Sequence, residues 1–378
     1  MDAASHRSHA GAMESSDFQA ARLLVRLPAI VANYHSFRAA GSAAVGAVVK
    51  ADAYGLGADA IAPALADAGC DSFFVARLEE GVRLRAVLPK ARIFVFDGAP
   101  AGSVPALMSH RLIPCLNSLT DVAAWSAAAS AARTTLDAAV HVDTGMSRLG
   151  LSPEELAILA AEHRARLAGL NLVLVLSHLA CSDTGSDPMN PMQLSKFQQA
   201  LAMLPPASAS LAASHGTFLG PEYHFDLLRP GVALYGANPT PGRTNPMQTA
   251  AVLTGKVLQL RRIDSGDPVG YAATFHAQRS SMLATIALGY ADGVPRALSG
   301  KGVAAIGGQR APIAGRVSMD TIILDVTDFA APPSVGDDAE ILGDTISLSE
   351  VAATAGTNDY EILTRLKVRV PRHYENQI

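Results

Sequence analysis

Over the first two thirds of the chain, short apolar runs alternate with longer, amphipathic, alanine-rich stretches. The apolar runs are continuous rather than alternating, which is typical of parallel strands that are buried on both faces. The amphipathic stretches carry helix start signals, such as Ser152 and Pro153 before "EELAILAAEHRARL". The predicted strands are "VGAVVKA", "SFFVAR", "RIFVFDG", "LIPCLN", "LDAAVHVDTG", "LNLVLVLSHLA", "SASLAAS" and "GVALYG". About eight such βα repeats predict an N-terminal (β/α)8 TIM-type barrel in an α/β fold.

The pattern changes at residues 238–249, "NPTPGRTNPMQT", which have the composition of a linker. Beyond it, apolar segments such as "AVLTGKVLQLRRI" and "DTIILDVTD" are separated by turns that contain Gly and Asp, without intervening helices. This spacing is typical of a mostly antiparallel β-domain. We therefore expect the barrel over residues 21–245 and a mainly β C-terminal domain over residues 246–378.

The first residues, 1–20, lack the apolar run of 7 to 15 residues that a signal peptide needs, and we expect a disordered arm there. No stretch approaches the roughly 18 apolar residues that span a membrane, so the sequence predicts a cytoplasmic protein without a membrane partner. Three widely spaced cysteines, Cys70, Cys115 and Cys181, are expected to be reduced thiols and not metal ligands.

Charge narrows the choice of partner. The formal net charge is −4 and no run of Lys and Arg is present, so we expect no binding to nucleic acid. Neither a Walker A loop nor a GxGxxG motif occurs, which argues against a nucleotide. The expected ligand is a small molecule of another kind.

In a barrel of this type the active site lies at the carboxyl ends of the strands. Lys50 ends one apolar run, and a buried ammonium there needs an ion partner, a solvated tip or a lowered pKa that makes the amine a nucleophile. The stretches "AASHG" and "RPGV" suit an anion, because small residues let backbone N–H groups approach a phosphate. A phosphate beside a lysine suggests pyridoxal phosphate, whose aldehyde reacts with lysine amines.

The motifs "VVKADAYGLG", "HVDTGMSRLG", "SHLACSD", "FDLLRPGVALYG", "GYAATF", "GYADGVPR", "GRVSMD" and "YEILTRLKVRVPR" occur in this order. From about residue 22 onward the chain resembles the alanine racemase family. The resemblance implies a homodimer with active sites shared between subunits, in which pyridoxal 5'-phosphate and two bases interconvert L-alanine and D-alanine for peptidoglycan synthesis. It also implies that the first strand, residues 22–27, packs with the C-terminal domain.

Carried over by position, the resemblance assigns Lys50 as the lysine that binds the cofactor covalently. Arg148 matches the arginine near the phenolic oxygen of the cofactor and the substrate, and Arg229 the arginine that faces the pyridine nitrogen. His178 resembles the residue that holds Arg229. The matched phosphate contacts are Tyr54, Ser214, Gly231, Val232 and Tyr360.

A racemase must remove the α-proton from one face of the substrate and return one to the other, so it needs two bases. The resemblance assigns Lys50 to one face and Tyr271, from the other subunit, to the second. The neighbours of Tyr271 at the substrate entry match Tyr290, Arg316, Met319 and Asp320. Met319 is expected to offer a backbone N–H to the substrate carboxylate.

Two positions depart from the family pattern. His141 stands where many members carry a carbamylated lysine that orients the arginine matching Arg148. Either His141 bonds Arg148 directly, or an anion such as chloride occupies the gap. Ala213 stands where an asparagine often precedes the phosphate-binding serine.

Three alternatives stay open. A racemase of serine, lysine or a broad range of amino acids would share nearly every motif, although Met319 and Tyr290 favour alanine. An amino-acid decarboxylase of the same fold would carry a catalytic cysteine in the β-domain, and no cysteine follows Cys181. A non-catalytic pyridoxal phosphate carrier would lack the second domain with "GYADG" and "GRVSMD".

Overall fold

The protein is described here from a computed structural model that covers residues 19–375. The arm expected at residues 1–20 lies, as far as residue 18, outside the described residues. The first part of the chain contains β1 (Ala21–Arg26), α1 (Leu27–Ala39), β2 (Ala44–Val45), β3 (Ala47–Val48), α2 (Lys50–Tyr54), α3 (Ala58–Asp67), β4 (Ser72–Val75), α4 (Leu78–Val87), β5 (Arg92–Val95), α5 (Val104–Ser109), β6 (Ile113–Leu116), α6 (Leu119–Ala132), β7 (Leu136–His141), α7 (Pro153–Arg166), β8 (Leu170–Leu176), α8 (Met189–Met203), β9 (Ser208–Ser210) and β10 (Leu227–Leu228). The second part contains β11 (Ala251–Ile263), β12 (Pro268–Val269), β13 (Phe275–His276), β14 (Ser281–Ile286), β15 (Val303–Ile306), β16 (Gln309–Pro312), β17 (Ile322–Asp325), β18 (Asp338–Leu342), α9 (Leu348–Ala355), α10 (Asp359–Thr364) and β19 (Arg372–Glu375).

The parallel strands of the first part close into a barrel. Strands β3 to β9 pair in sequence order as one parallel sheet. β2 and β3 are two pieces of one strand, interrupted at Gly46, and β10 pairs in parallel with β2. Ala213, just beyond β9, bridges in parallel to Arg229, just beyond β10, so the ring is complete. The predicted barrel is confirmed.

The barrel interior is apolar and partly aromatic. Phe74 and Phe94 are fully buried there, and their rings stack with centroids 4.6 Å apart. Phe73 is equally buried but points to the opposite face of β4. On the outside, α7 begins as its sequence predicts: Ser152 Oγ accepts from the backbone N–H of Glu155, and the Glu155 carboxylate accepts from that of Ser152, both at 3.2 Å. This reciprocal capping fixes the start of the helix.

One predicted strand is wrong. The segment "GVALYG" contains a short 3-10 helix, Val232–Tyr235, and the eighth strand of the barrel is β10, which precedes it. A short, continuous apolar run fits a buried helical turn as well as a buried strand, because both lack a polar face.

The second part is built around β11, a strand of 13 residues. β11 pairs antiparallel with β1, β14 and β18, and β1 also pairs in parallel with β19. The first and last strands of the described chain therefore lie side by side in the sheet of the β-domain. The helices α9 and α10 are additional to the predicted strands, and α10 carries Tyr360. Within residues 19–375, no helix is both long enough and apolar enough to cross a membrane.

Candidate active site

A cavity of about 890 Å³ opens at the carboxyl ends of the barrel strands and is also lined by residues of α9 and α10 and by Asn358, just before α10. It collects residues that are far apart in the sequence. The lining includes Lys50, Phe96, His141, Arg148, His178, Arg229, Val232, Asp183, Ser349 and Tyr360. Polar residues at or just beyond the ends of several barrel strands, among them Lys50, His141, His178 and Arg229, therefore share one space, and the β-domain contributes to its wall.

Lys50 begins a left-handed turn. The four residues after it, Ala51 to Tyr54, all have φ between 51° and 56°, and Gly55 follows with φ 86°. This conformation is unfavourable for L-residues, so surrounding contacts must hold it. Glu80 supplies one of them, because its carboxylate accepts from the N–H of Ala51 at 2.6 Å. The turn leaves Nζ of Lys50 5.8 Å from the ring centroid of Phe96, inside the cavity.

The electrostatics of the cavity favour a neutral amine. Burial lowers the pKa of Lys50, and the positive charge of Arg148 lowers it further. Burial also lowers the pKa of His141 to about 4, with Arg229 and Arg148 acting in the same direction. His178 is affected in the same way, its pKa lying well below the ordinary value mainly because of burial. The two histidines are therefore neutral at pH 7, beside two arginines.

Arg229 is held by groups other than the one the resemblance implies. Its guanidinium donates to the carbonyl oxygens of Ser177 at 2.6 Å and Leu211 at 3.4 Å, and to the hydroxyl of Ser210. Within the described residues, no hydrogen bond joins it to His178, which lines the same cavity. Burial lowers the pKa of Arg229 to about 10, so the guanidinium is still a cation at neutral pH.

A cradle of small and hydroxyl-bearing residues lies beside the cavity. Ser214 Oγ accepts from the backbone N–H of Gly231 at 3.0 Å and of Ala233 at 3.3 Å. The hydroxyl of Tyr54 approaches Gly231 so closely that a Cβ there would lie 2.4 Å from it. Tyr360 packs on Tyr54 with ring centroids 6.0 Å apart, and burial raises the pKa of Tyr360 to about 12, so its phenol stays protonated. Protonated hydroxyls and amide N–H groups in this arrangement suit a phosphate.

A second group of predicted residues lies on the β-domain and outside this cavity. Tyr271 is 71% exposed and Met319 52% exposed, whereas most large apolar side chains of the chain are buried. Tyr290 lies against the Met319 loop, since its N–H donates to Ser318 at 3.0 Å. The residues of this group are Tyr271, Tyr290, Arg316, Met319 and Asp320, and none of them lines the cavity of the described chain. We call these five residues the entry face.

Comparison with known proteins decides the family. The family model described as "Alanine racemase, N-terminal domain" matches residues 25–239, and "Alanine racemase, C-terminal domain" matches residues 250–374. This chain belongs to the alanine racemase family. It is therefore an amino-acid racemase, an isomerase.

Similar proteins span nearly its whole length. The alanine racemase of Rhodospirillum rubrum is 46% identical over 370 residues, which cover 96% of this chain and 98% of that protein. The catabolic alanine racemase of Mesorhizobium japonicum is 47% identical over 357 residues, covering 93% and 92%. The crystal structure of the Bartonella henselae alanine racemase, which has covalently bound pyridoxal phosphate, matches 95% of this chain and 100% of that chain with a TM-score of 0.91 and 41% identity.

Within this racemase, several side chains at the site have no counterpart in the sequence-based predictions. Ser210 holds Arg229, Tyr235 donates to the carbonyl of Val48 at 2.8 Å beside the Lys50 turn, and Asn117 bonds His141 at 2.8 Å. Asn117 was detectable in principle, because it directly follows the apolar strand β6 and so belongs to the same set of strand ends. Ser210 gave only the weak signal of a hydroxyl in a strand of small residues.

Proposed function

We propose that this racemase interconverts L-alanine and D-alanine with pyridoxal 5'-phosphate held covalently at Lys50. The observation that carries the proposal is the position of Lys50. Its amine has a lowered pKa and opens into a cavity that also contains Arg148 and Arg229. A lowered pKa favours the neutral amine of the lysine, which is the form that reacts with the aldehyde of pyridoxal phosphate.

The residues present fit the cofactor. Gly231 provides a cradle that any larger residue would fill, next to the hydroxyls of Tyr54 and Ser214. These groups, with Val232 and Tyr360, would hold the phosphate, and Arg229 would donate to the ring nitrogen. When bound, pyridoxal phosphate supplies the aldehyde for the amine and a conjugated ring that withdraws electron density from the substrate α-carbon.

The chain's own residues then divide the proton transfers between them. Lys50, whose pKa is lowered by burial, takes or returns the α-proton on one face of the substrate. Arg148, together with the backbone N–H of Met319 from a second copy of the chain, binds the substrate carboxylate. The Arg229 guanidinium only donates hydrogen bonds, so a ring nitrogen that accepts from it stays unprotonated. An unprotonated ring withdraws electron density less strongly from the substrate. Prompt return of the proton to the α-carbon is thereby favoured over side reactions.

The second base is Tyr271, contributed by a second copy of the chain. Tyr271 is largely exposed and lies outside the cavity of its own chain, together with the rest of the entry face. A two-fold dimer in which each entry face closes the other cavity supplies the missing group and buries these side chains. The active unit we propose is therefore a homodimer, and its product, D-alanine, is used for peptidoglycan synthesis.

Borohydride reduction of the purified holoenzyme, followed by peptide mapping, tests the cofactor assignment. The reduced cofactor is expected to be attached to Lys50 in the wild type and in the exposed control Lys196→Ala, and to be absent from Lys50→Ala. Chiral chromatography after incubation with a panel of L-amino acids tests the substrate, with D-alanine formed fastest. Labelling of another lysine overturns the site, and a faster D-serine or D-lysine product overturns the substrate.

A further inference from the structure

A chain of hydrogen bonds crosses three neighbouring barrel strands at the wall of the cavity. Asn117 follows β6, and its amide Nδ2 donates to the carbonyl oxygen of Phe96, which follows β5, at 2.8 Å. Its Oδ1 lies 2.8 Å from Nδ1 of His141, the last residue of β7. Both contacts are within ordinary hydrogen-bond distance.

This chain of contacts determines which nitrogen of His141 carries the proton. A carbonyl oxygen only accepts, so the amide nitrogen of Asn117 must face Phe96 and its oxygen must face His141. That oxygen also only accepts, so Nδ1 of His141 must carry the hydrogen. Since burial keeps the ring neutral at pH 7, Nε2 then bears a free lone pair.

Nε2 of His141 is open to the cavity that Arg148 shares. His141 lines this cavity. Within the described residues, the fully buried polar side-chain atoms without a partner are Asn190 Oδ1 and Thr254 Oγ1. Nε2 of His141 also has no partner among these residues but is not fully buried, so it is accessible from the cavity. Nε2 makes no hydrogen bond among residues 19–375 and so remains available as an acceptor. Its neighbour in the ring, Cδ2, lies 3.2 Å from where a Cβ on Gly150 would be, two residues beyond Arg148.

We infer that Asn117 is a positioning residue that fixes His141 as the Nδ1–H tautomer, so that Nε2 is presented to the shared cavity as an acceptor for the Arg148 guanidinium and holds Arg148 toward the carboxylate when the substrate is bound. The opposite tautomer would turn an N–H toward a group that only donates, and Arg148 would lose its acceptor. The last step, the contact with substrate, rests on the proposed function. The tautomer itself does not.

Nitrogen and carbon NMR of histidine-labelled holoenzyme tests the tautomer directly, with the His141 signals assigned by their loss in His141→Gln. We expect a protonated Nδ1 and an unprotonated Nε2 in the wild type. Asn117→Leu removes the acceptor, so the proton is expected to move to Nε2. Asn117→Asp keeps an acceptor and is expected to keep Nδ1 protonated, which preserves the test if the leucine variant does not fold. A wild-type ring protonated only on Nε2, or a leucine variant that keeps Nδ1–H, overturns the inference.

Kinetics test the positioning role. In Asn117→Leu, kcat/KM for alanine is expected to fall about tenfold, as for other residues that orient a ligand through hydrogen bonds. The thermal midpoint and cofactor content are expected to match those of Asn171→Leu, a control for an exposed Asn at the start of β8. A switched tautomer with kcat/KM equal to the control overturns the role of Asn117. A wild type that racemises no amino acid overturns the proposed function instead, and the tautomer is then decided by NMR alone.

Discussion

A buried guanidinium, that of Arg229, and two neutral imidazoles, those of His141 and His178, line the same cavity. Arg229 is only 2% exposed, and it is compensated by oxygen atoms of Ser177, Ser210 and Leu211 instead of a carboxylate. His141 is 9% exposed, and burial and the positive charges of Arg229 and Arg148 disfavour its protonated form. The protein therefore stabilises the charge of Arg229 and keeps His141 neutral. The lowered pKa of His141 makes the stability of the folded protein depend on pH.

We predict that His141 makes the folded state less stable in acid. Its pKa is about 4 when folded and 6.5 as a model value, so between these values the unfolded chain binds more protons and stability falls as the pH falls. From about pH 7.5 to about pH 5 the loss due to His141 is about 2 kcal/mol. His178 acts in the same direction.

Urea unfolding of the wild type and His141→Gln at both pH values measures this loss. The wild type is expected to lose more unfolding free energy on acidification than the variant does. His35→Gln, which removes an exposed histidine, is expected to behave as the wild type. An equal pH dependence in wild type and His141→Gln would contradict the assignment of this loss to His141.

Among the elements, the left-handed turn α2 is the one whose backbone is least suited to its sequence. Ala51 has φ 52° and an exposed side chain, so glycine there relieves strain without leaving a cavity. We predict that Ala51→Gly raises the unfolding free energy by up to about 1 kcal/mol. In the right-handed helix α6, the exposed control Ala123→Gly is expected to lower it by about 1 kcal/mol. Thermal unfolding of both variants checks the opposite signs, and destabilisation by both would refute the prediction.

The loops of the entry face depend on a second feature at this scale. Arg369, before β19, pairs with Asp292 at 2.6 Å and with Asp320 at 2.8 Å, and so joins the loops that carry Tyr290 and Met319. Asp292 is 3% exposed, and it otherwise accepts from the N–H of Gly289.

We predict that Arg369→Gln destabilises the protein and weakens substrate binding. Leaving the buried Asp292 carboxylate without this partner costs about 1 to 3 kcal/mol, and the released loops are expected to raise KM more than they lower kcat. The control Arg279→Gln breaks an exposed pair with Asp328 and is expected to change neither measurably. Equal thermal midpoints for the two variants would count against this role of Arg369.

How far the sequence predicts these elements depends on how local their causes are. The apolar runs indicate the barrel strands, because burial on both faces leaves a continuous pattern in the residues themselves. The 3-10 helix at Val232–Tyr235 carries the same pattern, so periodicity misplaces it. The partners of Arg229 and His141 are less accessible, since Ser210 and Asn117 become their neighbours only when adjacent strands pair.

In the whole molecule, the first and last strands of the described residues tie the two parts together. β1 lies between β11 and β19, so a strand that precedes the barrel is completed by the β-domain. We propose that the boundaries expected from composition, near residues 245 and 246, separate two units that need each other to fold. The resemblance to the family predicts this arrangement, whereas the hydrophobic pattern of residues 22–27 alone does not. No local pattern predicts that Tyr271 lies outside the cavity of its own chain either.

Mixing two inactive variants tests whether the site spans two chains. Tyr271→Phe keeps the ring and removes the phenol, and Lys50→Ala removes the amine, so each variant alone is expected to be inactive in racemisation. In a mixed dimer, one site combines an intact Lys50 with an intact Tyr271 from the other chain, and activity is expected to return. Mixing Lys50→Ala with the double variant Lys50→Ala/Tyr271→Phe leaves no intact site and is expected to restore nothing. If native mass spectrometry finds mixed dimers of the first pair and they remain inactive, Tyr271 does not act across the interface.

Deuterium exchange in Tyr271→Phe alone tests the division of the two faces. Because Lys50 still serves one face, this variant is expected to exchange the α-proton of only one alanine enantiomer with solvent deuterium, and loss of exchange from both enantiomers would contradict the assignment.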